Sequence, residues 1–302
     1  MNIIGKRKIF YIISLALIIF SIIAVSVWGL NFGIDFAGGT LIELNFNKAD
    51  KEVSTTEINE AISGVEIKSL TIQKTGDSSI LIRGEGIDKE KNEEIQNIIR
   101  EKIGDFKEER FETVGPTVSS DLRKKAIIAV IVASVAIIIY LAIAFRKVPK
   151  PASSWRFGIG AVVALIHDLI IVTGIFAILG HFYSNIVVDS LFVTALLTVL
   201  GFSVHDTIVV FDRFRENLRR MAVSSNNIEF IANVSVKETI TRSLNTSITV
   251  IIVLLALLLF GGETIFSFVL ALLIGVVIGT YSSIFVAMAI LVDWTIFSAK
   301  RK

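Results

Sequence analysis

The chain has 302 residues, of which 53% are hydrophobic, and its mean hydropathy is +0.72. Its formal net charge of +2 gives no sign of a nucleic-acid-binding module, and the lack of cysteine excludes disulfides, thiolate metal sites and a cysteine nucleophile. The apolar residues are gathered in blocks of about 20, the length that a helix needs to cross a bilayer. We therefore expect a polytopic α-helical membrane protein.

Six transmembrane helices are predicted. The first follows three basic residues and lacks the small-residue cleavage pattern of a signal peptide, so we expect it to be retained. The last is long for one crossing, which predicts a tilt or an extension beyond the bilayer. The six predicted spans are residues 9–28, 126–145, 157–179, 187–211, 240–260 and 265–294.

Basic residues occur in every second segment between these spans. They lie at the N-terminus, in segments 146–156 and 213–220, and in the tail 300–302, whereas the two short loops between them have none. The positive-inside rule therefore predicts that both termini are cytoplasmic. The polar segment 214–237 begins with basic residues, which predicts a short interfacial helix and a flexible turn that contact anionic lipid.

The large segment 31–125 is then expected on the outer side as a small α+β domain. Alternating apolar residues predict strands, and capping residues followed by an apolar stripe predict helices. A hairpin is predicted about Gly76 and Asp77. The predicted order is βαββαβ, a ferredoxin-like unit with two helices on one face of a four-stranded antiparallel sheet. Its elements are strand 40–47, helix 54–63, strands 66–75 and 78–83, helix 89–103 and strand 108–114.

The chain thus divides into three parts. Residues 1–30 form the N-terminus and the first span, residues 31–125 form the outer domain, and residues 126–302 form the other five spans, with a cytoplasmic loop at 212–239 and a basic C-terminal tail. Glycine-containing junctions join the outer domain to the spans on either side. Gly38 with Gly39, and Gly115 with Pro116, are expected to act as hinges or tight connections.

Asp206 lies inside the predicted fourth span, where a carboxylate costs roughly 2.5 to 3.5 kcal/mol on insertion scales. A carboxyl group that an arginine can approach and leave has two affinities for a proton, which is what a coupling device needs. We interpret Asp206 as a group that binds and releases protons. The alternative is an aspartate that only joins helices by hydrogen bonds. The neighbouring His205 is a second candidate relay.

Two further polar features are candidates for the same path. Arg242, Asn245, Thr246 and Thr249 recur at helical spacing in the fifth span, and such a stripe is expected to face inward, toward protein or water. Asp168, in the middle of the third span, belongs either to the proton path or to a buried hydrogen-bonded anchor.

Small residues recur every four positions in the sixth span and predict that another helix packs closely against it, either in this chain or in a partner. This stripe is interpreted as tight static packing or as a sliding surface. Its members are Ala271, Gly275, Gly279, Ser283 and Ala287.

Three motifs resemble those of the SecD/SecF family of bacterial protein export, which is related to the resistance-nodulation-division transporters. They are GIDFAGGT at 33–40, VGPTVSSDL at 114–122 and GFSVHDTIVVFDRFREN at 201–217. The resemblance implies a six-span subunit of the inner membrane with a periplasmic ferredoxin-like domain, which uses the proton gradient to help move preproteins across the membrane. It places the proton site on Asp206 and Arg242. His205 departs from the asparagine that many relatives carry.

The resemblance also implies the partners of the chain. These are a SecD-like six-span subunit, a SecYEG-type channel, YajC-like and YidC-like proteins, unfolded preprotein and membrane lipid, with protons as the coupling ion and no other cofactor. Two alternatives remain open, an exporter of small molecules or lipids and a passive scaffold subunit. The lack of HExxH, GxSxG and cysteine argues against an enzyme.

Overall fold

The computed structural model describes residues 3–46, 53–75, 78–146, 148–149, 152–221 and 227–300. The chain forms two compact units. The membrane unit comprises Met1–Gly29, Ile128–Leu179 and Leu191–Lys302, and the α+β unit comprises Leu30–Ile127 and Gly180–Ser190. The elements in chain order are α1 (Arg7–Trp28), α2 (Ile34–Ala37), β1 (Gly39–Asn45), α3 (Thr55–Ala61), β2 (Lys68–Thr75), β3 (Ser79–Glu85), α4 (Lys89–Lys102), β4 (Lys107–Val114), α5 (Pro116–Ala144), α6 (Ser154–Phe182), α7 (Ser190–Arg220), α8 (Ile228–Phe260), α9 (Phe266–Tyr281), a π-helical turn (Ser282–Ala287) and α10 (Met288–Lys300).

Within the described residues, six helices are long and apolar enough to span a membrane, as the sequence predicted. They are α1, α5, α6, α7, α8 and a composite sixth span, Phe266–Ser298, in which the π-turn separates α9 from α10. The turn adds a residue to one helical turn without ending the helix. The sixth span is therefore a continuous but irregular helix.

The described parts of the link between the fourth and fifth spans are helical extensions of those spans. α7 continues to Arg220, and α8 begins at Ile228. The expected separate interfacial helix is therefore wrong, because its residues continue the long helices on either side. Residues 222–226, which include most of the predicted flexible turn, lie outside the described part of the chain.

The α+β unit contains the predicted βαββαβ order. Its sheet is antiparallel, with strand order β2-β3-β1-β4. Helix α3 begins with the predicted cap, in which Ser54 and Glu57 form a reciprocal capping box. The ferredoxin-like prediction is confirmed. Gly76 and Asp77, the predicted hairpin turn, lie outside the described residues. The helices cover one face of the sheet through a core that includes Ile42, Leu44, Ile58, Ile80, Ile82, Ile95 and Ile99.

The loop after α6 belongs to the α+β unit, which the sequence did not predict. Phe32 and Val188 form an isolated parallel bridge, in which the Val188 N–H donates to Asn31 at 2.8 Å. The Asn31 side chain donates to the carbonyls of Ser184 and Ile186, both at 3.0 Å. These bonds satisfy the backbone of both segments and fix the loop within this unit.

The other face of the sheet carries charge beside a small apolar patch of Ile34, Leu41, Leu81 and Val114. Because Leu41 pairs with Arg83, and Glu43 with Arg110, these side chains share one face. Burial raises the pKa of Glu43, with Glu109 adding to the effect and Arg110 opposing it. Burial also lowers the pKa of Arg83, against the attraction of Asp189.

Candidate functional site

Among the described residues of the membrane unit, two carboxylates are buried, one on α6 and one on α7. Asp168 is 1% exposed and Asp206 is 5% exposed. Each accepts a hydrogen bond from one of two consecutive serines in the π-turn, Ser282 and Ser283. The sixth span therefore contacts both acidic groups at neighbouring positions.

Asp206 has one hydroxyl donor in this arrangement. The Ser283 hydroxyl donates to its Oδ2 atom at 2.8 Å, and Ser283 is fully buried. Among the ion pairs between described residues, none involves Asp206. The carboxyl group is thus removed from solvent but is not held by any cation among the described residues.

Asp168 has three polar partners from three different segments. Ser203 of α7 and Ser282 of the π-turn donate to Oδ2 at 2.7 and 2.8 Å, and His167 Nδ1 lies 2.9 Å from Oδ1. His167 is 3% exposed. The sequence singled out Asp168 but not Ser203 or Ser282 as its partners. The signal was the Ser282–Ser283 pair within an apolar span.

Helical geometry explains how two consecutive serines of the π-turn reach two different helices. Side chains that follow each other on a helix diverge by about 100° around the axis, so neighbours face different surfaces. Ser282 reaches Asp168 of α6, and Ser283 reaches Asp206 of α7. Single π-turns inside α-helices are frequent at functional sites.

The small-residue stripe of the sixth span lies against α7 of the same chain. A Cβ atom on Gly275 would lie 2.2 Å from Val199 Cγ2, and one on Gly279 would lie 3.0 Å from Ser203 Cβ. The contact continues at Ser283 with Asp206. The glycines therefore allow the close approach that brings the serines of the π-turn to the carboxylates.

The predicted partners of Asp206 on α8 do not join it within this chain. Arg242, Asn245 and Thr246 are exposed on the membrane unit, and no ion pair between described residues links Arg242 to Asp206. The expectation that this stripe faces inward is wrong for the bundle of this chain, where the buried serines 243 and 247 take that direction. Thr246 donates to the carbonyl of Arg242 at 3.1 Å.

His205 is also exposed, although it precedes the buried Asp206. Adjacent residues of a helix point about 100° apart, so burial of one does not bury the other. The His205 imidazole and the Asp206 carboxyl therefore lie on different faces of α7.

The predicted junction glycines lie within the α+β unit and have different roles. Gly38 and Gly39 have φ of 82° and 109°, and a Cβ on Gly39 would lie 2.9 Å from the carbonyl oxygen of Gly84. This pair is a tight connection that other residues fit poorly. Gly115 has open space around it, and Pro116 begins α5, a position that suits proline.

An ionic cluster that the sequence did not predict joins three spans of the membrane unit near their ends. Arg7 Nε lies 2.7 Å from Asp293 Oδ1, and Arg7 Nη1 lies 3.1 Å from Glu229 Oε2. The Tyr11 hydroxyl donates to Asp293 Oδ2 at 3.0 Å. These contacts tie α1 to α8 and α10.

Two family models match the chain. The model described as protein export membrane protein SecD/SecF, C-terminal, matches residues 94–296, and the SecD/SecF GG motif model matches residues 25–50. The first match includes Asp168, Asp206 and the π-turn. The second includes Gly38 and Gly39.

Curated relatives match over almost the whole chain. Protein translocase subunit SecF of Thermobaculum terrenum is 45% identical, over 97% of this chain and 93% of the relative. Protein translocase subunit SecF of Anaerolinea thermophila is 40% identical, over 97% of this chain and 94% of the relative. Protein translocase subunit SecDF of Bacillus subtilis is 35% identical over 96% of this chain, which corresponds to 37% of that longer protein.

Solved structures of SecDF have the same fold over this region. SecDF from Thermus thermophilus, described as a translocon-associated membrane protein, matches with a TM-score of 0.83 at 30% identity. SecDF in a super-membrane-facing form matches with a TM-score of 0.67, also at 30% identity. Both matches cover 97% of this chain and 38% of the SecDF chain, so this chain spans little more than a third of those proteins.

Proposed function

The chain belongs to the SecD/SecF family of protein export membrane proteins, and from this premise we propose that it is an accessory subunit of Sec protein export. It is a multi-pass protein of the inner membrane. In our proposal, protons that cross the membrane bind and leave Asp206, and the resulting change in the membrane unit promotes preprotein translocation. Both termini are cytoplasmic in this proposal, and the α+β unit is periplasmic.

The observation that carries this proposal is the environment of Asp206. Its carboxyl group is 5% exposed and accepts one hydrogen bond from Ser283. Protonation of a carboxylate held in a buried salt bridge would leave the cation unpaired, whereas protonation of Asp206 leaves no cation unpaired in the part of the chain that the structure describes. A hydroxyl partner can serve either state, because it donates to a carboxylate and accepts from a carboxylic acid.

The chemistry at Asp206 has a direct consequence for helix contacts. When the carboxyl gains a proton, the hydrogen bond with Ser283 can reverse its direction, and the electrostatic attraction for the hydroxyl dipole falls. Ser283 belongs to the π-turn and to the stripe that packs on α7. We propose that this contact between the fourth and sixth spans is the element that responds to protonation.

We propose that the cation of the site acts across a subunit boundary. Arg242, near the start of the predicted fifth span, is exposed on this chain together with Asn245 and Thr246, and a polar stripe on an apolar span is expected to face protein or water rather than lipid. Arg242, Asn245 and Thr246 therefore face protein or water in the working complex. A SecD-like six-span partner is the proposed occupant, and the SecDF relatives, which are much longer than this chain, support this pairing.

The energy available to such a device is adequate for conformational work. Each proton that crosses the membrane supplies about 2.3 kcal/mol per 100 mV. The two SecDF structures match this chain at equal identity and coverage but with TM-scores of 0.83 and 0.67. This difference supports a fold that adopts more than one arrangement.

Export in cells that depend on this chain tests the proposal. Asp206→Asn should slow the maturation of exported preproteins to the level of cells that lack the chain, while Asp206→Glu should retain part of the activity. Asp212→Asn is the matched control, because Asp212 lies on the same helix, is half exposed and pairs with Arg215. Normal export in Asp206→Asn, with normal assembly, would instead support a passive scaffold.

Partner identity needs a separate experiment. We propose a SecD-like subunit, a SecYEG-type channel, and YajC-like and YidC-like proteins as partners, with unfolded preprotein bound on the periplasmic side and lipid around the spans. Purification in mild detergent, followed by mass spectrometry, should recover the SecD-like subunit with the wild type. Recovery of the chain alone, as a homo-oligomer, would favour an exporter of small molecules or lipids.

A further inference from the structure

The second buried acidic group of the membrane unit is not used by the proposed site at Asp206. Asp168 is 1% exposed and is paired with His167, which is 3% exposed. Its Oδ2 atom already accepts hydrogen bonds from Ser203 and Ser282. These two serines alone would join α6 to α7 and to the sixth span, so a purely structural anchor does not require the imidazole.

The imidazole also has a free nitrogen. His167 Nδ1 lies 2.9 Å from Asp168 Oδ1, whereas the buried Nε2 atom has no hydrogen-bond partner in the part of the chain that the structure describes. A buried polar atom without a hydrogen-bond partner destabilises the folded state. That cost has an explanation if Nε2 is the position at which a proton or a water molecule binds.

We propose that His167 and Asp168 form a second proton-binding site in the membrane unit, separate from Asp206 and with His167 Nε2 as its open position. The role of this second site rests on the proposed proton-driven function, but its ability to bind a proton does not. Because an ionised carboxylate only accepts hydrogen bonds, the shared hydrogen lies on Nδ1, and the pair carries one negative charge. A proton that binds Nε2 makes the pair neutral. Transfer of the Nδ1 proton to Oδ1 then gives a neutral imidazole with hydrogen on Nε2 beside a carboxylic acid.

Polar groups of α1 and α9 lie next to the pair. The Tyr281 ring centroid is 6.2 Å from that of His167, and the Tyr281 hydroxyl lies 3.2 Å from Ser14 Oγ and donates to the Phe10 carbonyl at 3.1 Å. One turn before Ser14 on α1, Tyr11 donates to Asp293. A series of hydroxyl groups, on Tyr11, Ser14 and Tyr281, thus leads from the ionic cluster of Arg7 and Asp293 toward the His167 ring.

Few titratable groups face the pair from the packed elements. Tyr281 does so from α9, and Tyr11 lies further along α1. Asp206 follows Ser203 on α7 by one helical turn and is bonded to Ser283, the neighbour of Ser282. The π-turn therefore connects the two carboxylates through adjacent residues, and a change of charge at one site is expected to influence the other.

The test is infrared difference spectroscopy of the full chain with its SecD-like partner in lipid nanodiscs, in which aspartate carries a ¹³C-labelled carboxyl group. In Asp206→Asn, a labelled carboxylic acid band should remain that gains intensity as the pH is lowered from about 9 to about 5. Asp168→Glu in the same background should remove the band, because glutamate keeps a carboxyl group but is not labelled. His167→Gln should shift the midpoint of the band by about one pH unit or more.

Identical pH-dependent spectra for Asp206→Asn and for Asp206→Asn with Asp168→Glu would overturn the inference, because Asp168 would then keep one charge state. The result is independent of export. A persistent band together with normal export in Asp206→Asn would refute the proposed function and leave the second proton site standing. Loss of export in Asp206→Asn with no second band would support the proposed function and refute the second proton site.

Discussion

Ser283 donates a hydrogen bond of 2.8 Å to Asp206 across 77 positions of the sequence. This contact joins a hydroxyl in the π-turn of the sixth span to the carboxyl of α7, and its neighbour Ser282 makes the equivalent contact to Asp168. These two buried acidic groups of the membrane unit, Asp168 and Asp206, are therefore both held by one short irregular segment.

Ser283→Ala should impair gradient-dependent export without preventing assembly. The change leaves a buried acceptor with no donor, which costs about 1–3 kcal/mol while the carboxyl is ionised. Ser247→Ala is the matched control, because Ser247 is a buried serine that contacts Thr280 and not a carboxylate. Thermal midpoints in detergent and export rates should be measured for both variants. Equal export in the two would contradict a special role of Ser283.

Gly275→Ala should destabilise the membrane unit by about 1–3 kcal/mol, because the new methyl group would lie 2.2 Å from Val199 Cγ2. Val199→Ala should restore much of the loss in the double variant. Gly201→Ala on α7, where nothing lies within 4 Å, is the control and should be neutral or slightly stabilising. Thermal aggregation in detergent measures the relative stability of these variants. A similar loss in both single variants would indicate a general effect of helix glycine.

Gly39→Ala should destabilise the α+β unit more than Gly86→Ala. Both glycines have positive φ, but a Cβ on Gly39 would also lie 2.9 Å from the Gly84 carbonyl oxygen, whereas nothing lies near Gly86. Gly86→Ala therefore measures the cost of the backbone conformation, which is about 1 kcal/mol. The additional destabilisation in Gly39→Ala reflects the contact of the new Cβ with the Gly84 carbonyl oxygen. Limited proteolysis and hydrogen exchange of β1 would show the ranking. The reverse order would refute the close approach at Gly39.

Glu43→Gln should stabilise the α+β unit near pH 7, and the gain should fade as the pH drops. Burial raises the pKa of Glu43, so the folded state binds its proton more tightly than the unfolded chain. Stability therefore falls as the pH rises from the unfolded value through the raised folded value. Because the group is partly exposed, the gain at neutral pH is a few tenths of a kcal/mol. Hydrogen exchange of β1 and β3 at two pH values measures this gain. Weaker protection of these strands in Glu43→Gln than in the wild type at pH 7 would contradict the prediction.

The sequence predicts the local structure of this chain well, because local patterns determine it. Capping residues at Ser54, the alternation in β1 and the apolar blocks are all short-range signals. The strand order also follows from the βαββαβ pattern. The attachment of loop 180–190 to the α+β unit was missed, since it depends on hydrogen bonds that the Asn31 side chain donates to the carbonyls of Ser184 and Ile186, far along the chain.

The site is predicted less completely, because its contacts join distant helices. Asp206 and Asp168 stand out as carboxylates in apolar spans, but Ser203 and Ser282 lie 35 and 114 positions from Asp168. The spacing of polar residues along a helix also does not determine what their face of the helix contacts. Arg242 shares a helix face with Asn245, yet spacing cannot say whether that face meets this chain or a partner.

The central claim is that protonation of Asp206 couples the proton gradient to export, and inverted membrane vesicles measure it most directly. Preprotein transport is compared before and after a protonophore collapses the gradient, with Asp212→Asn as control. We predict that the protonophore slows transport in wild-type and Asp212→Asn vesicles but has no further effect in Asp206→Asn vesicles, which already transport at the slow rate. A full protonophore effect in Asp206→Asn vesicles would contradict the account.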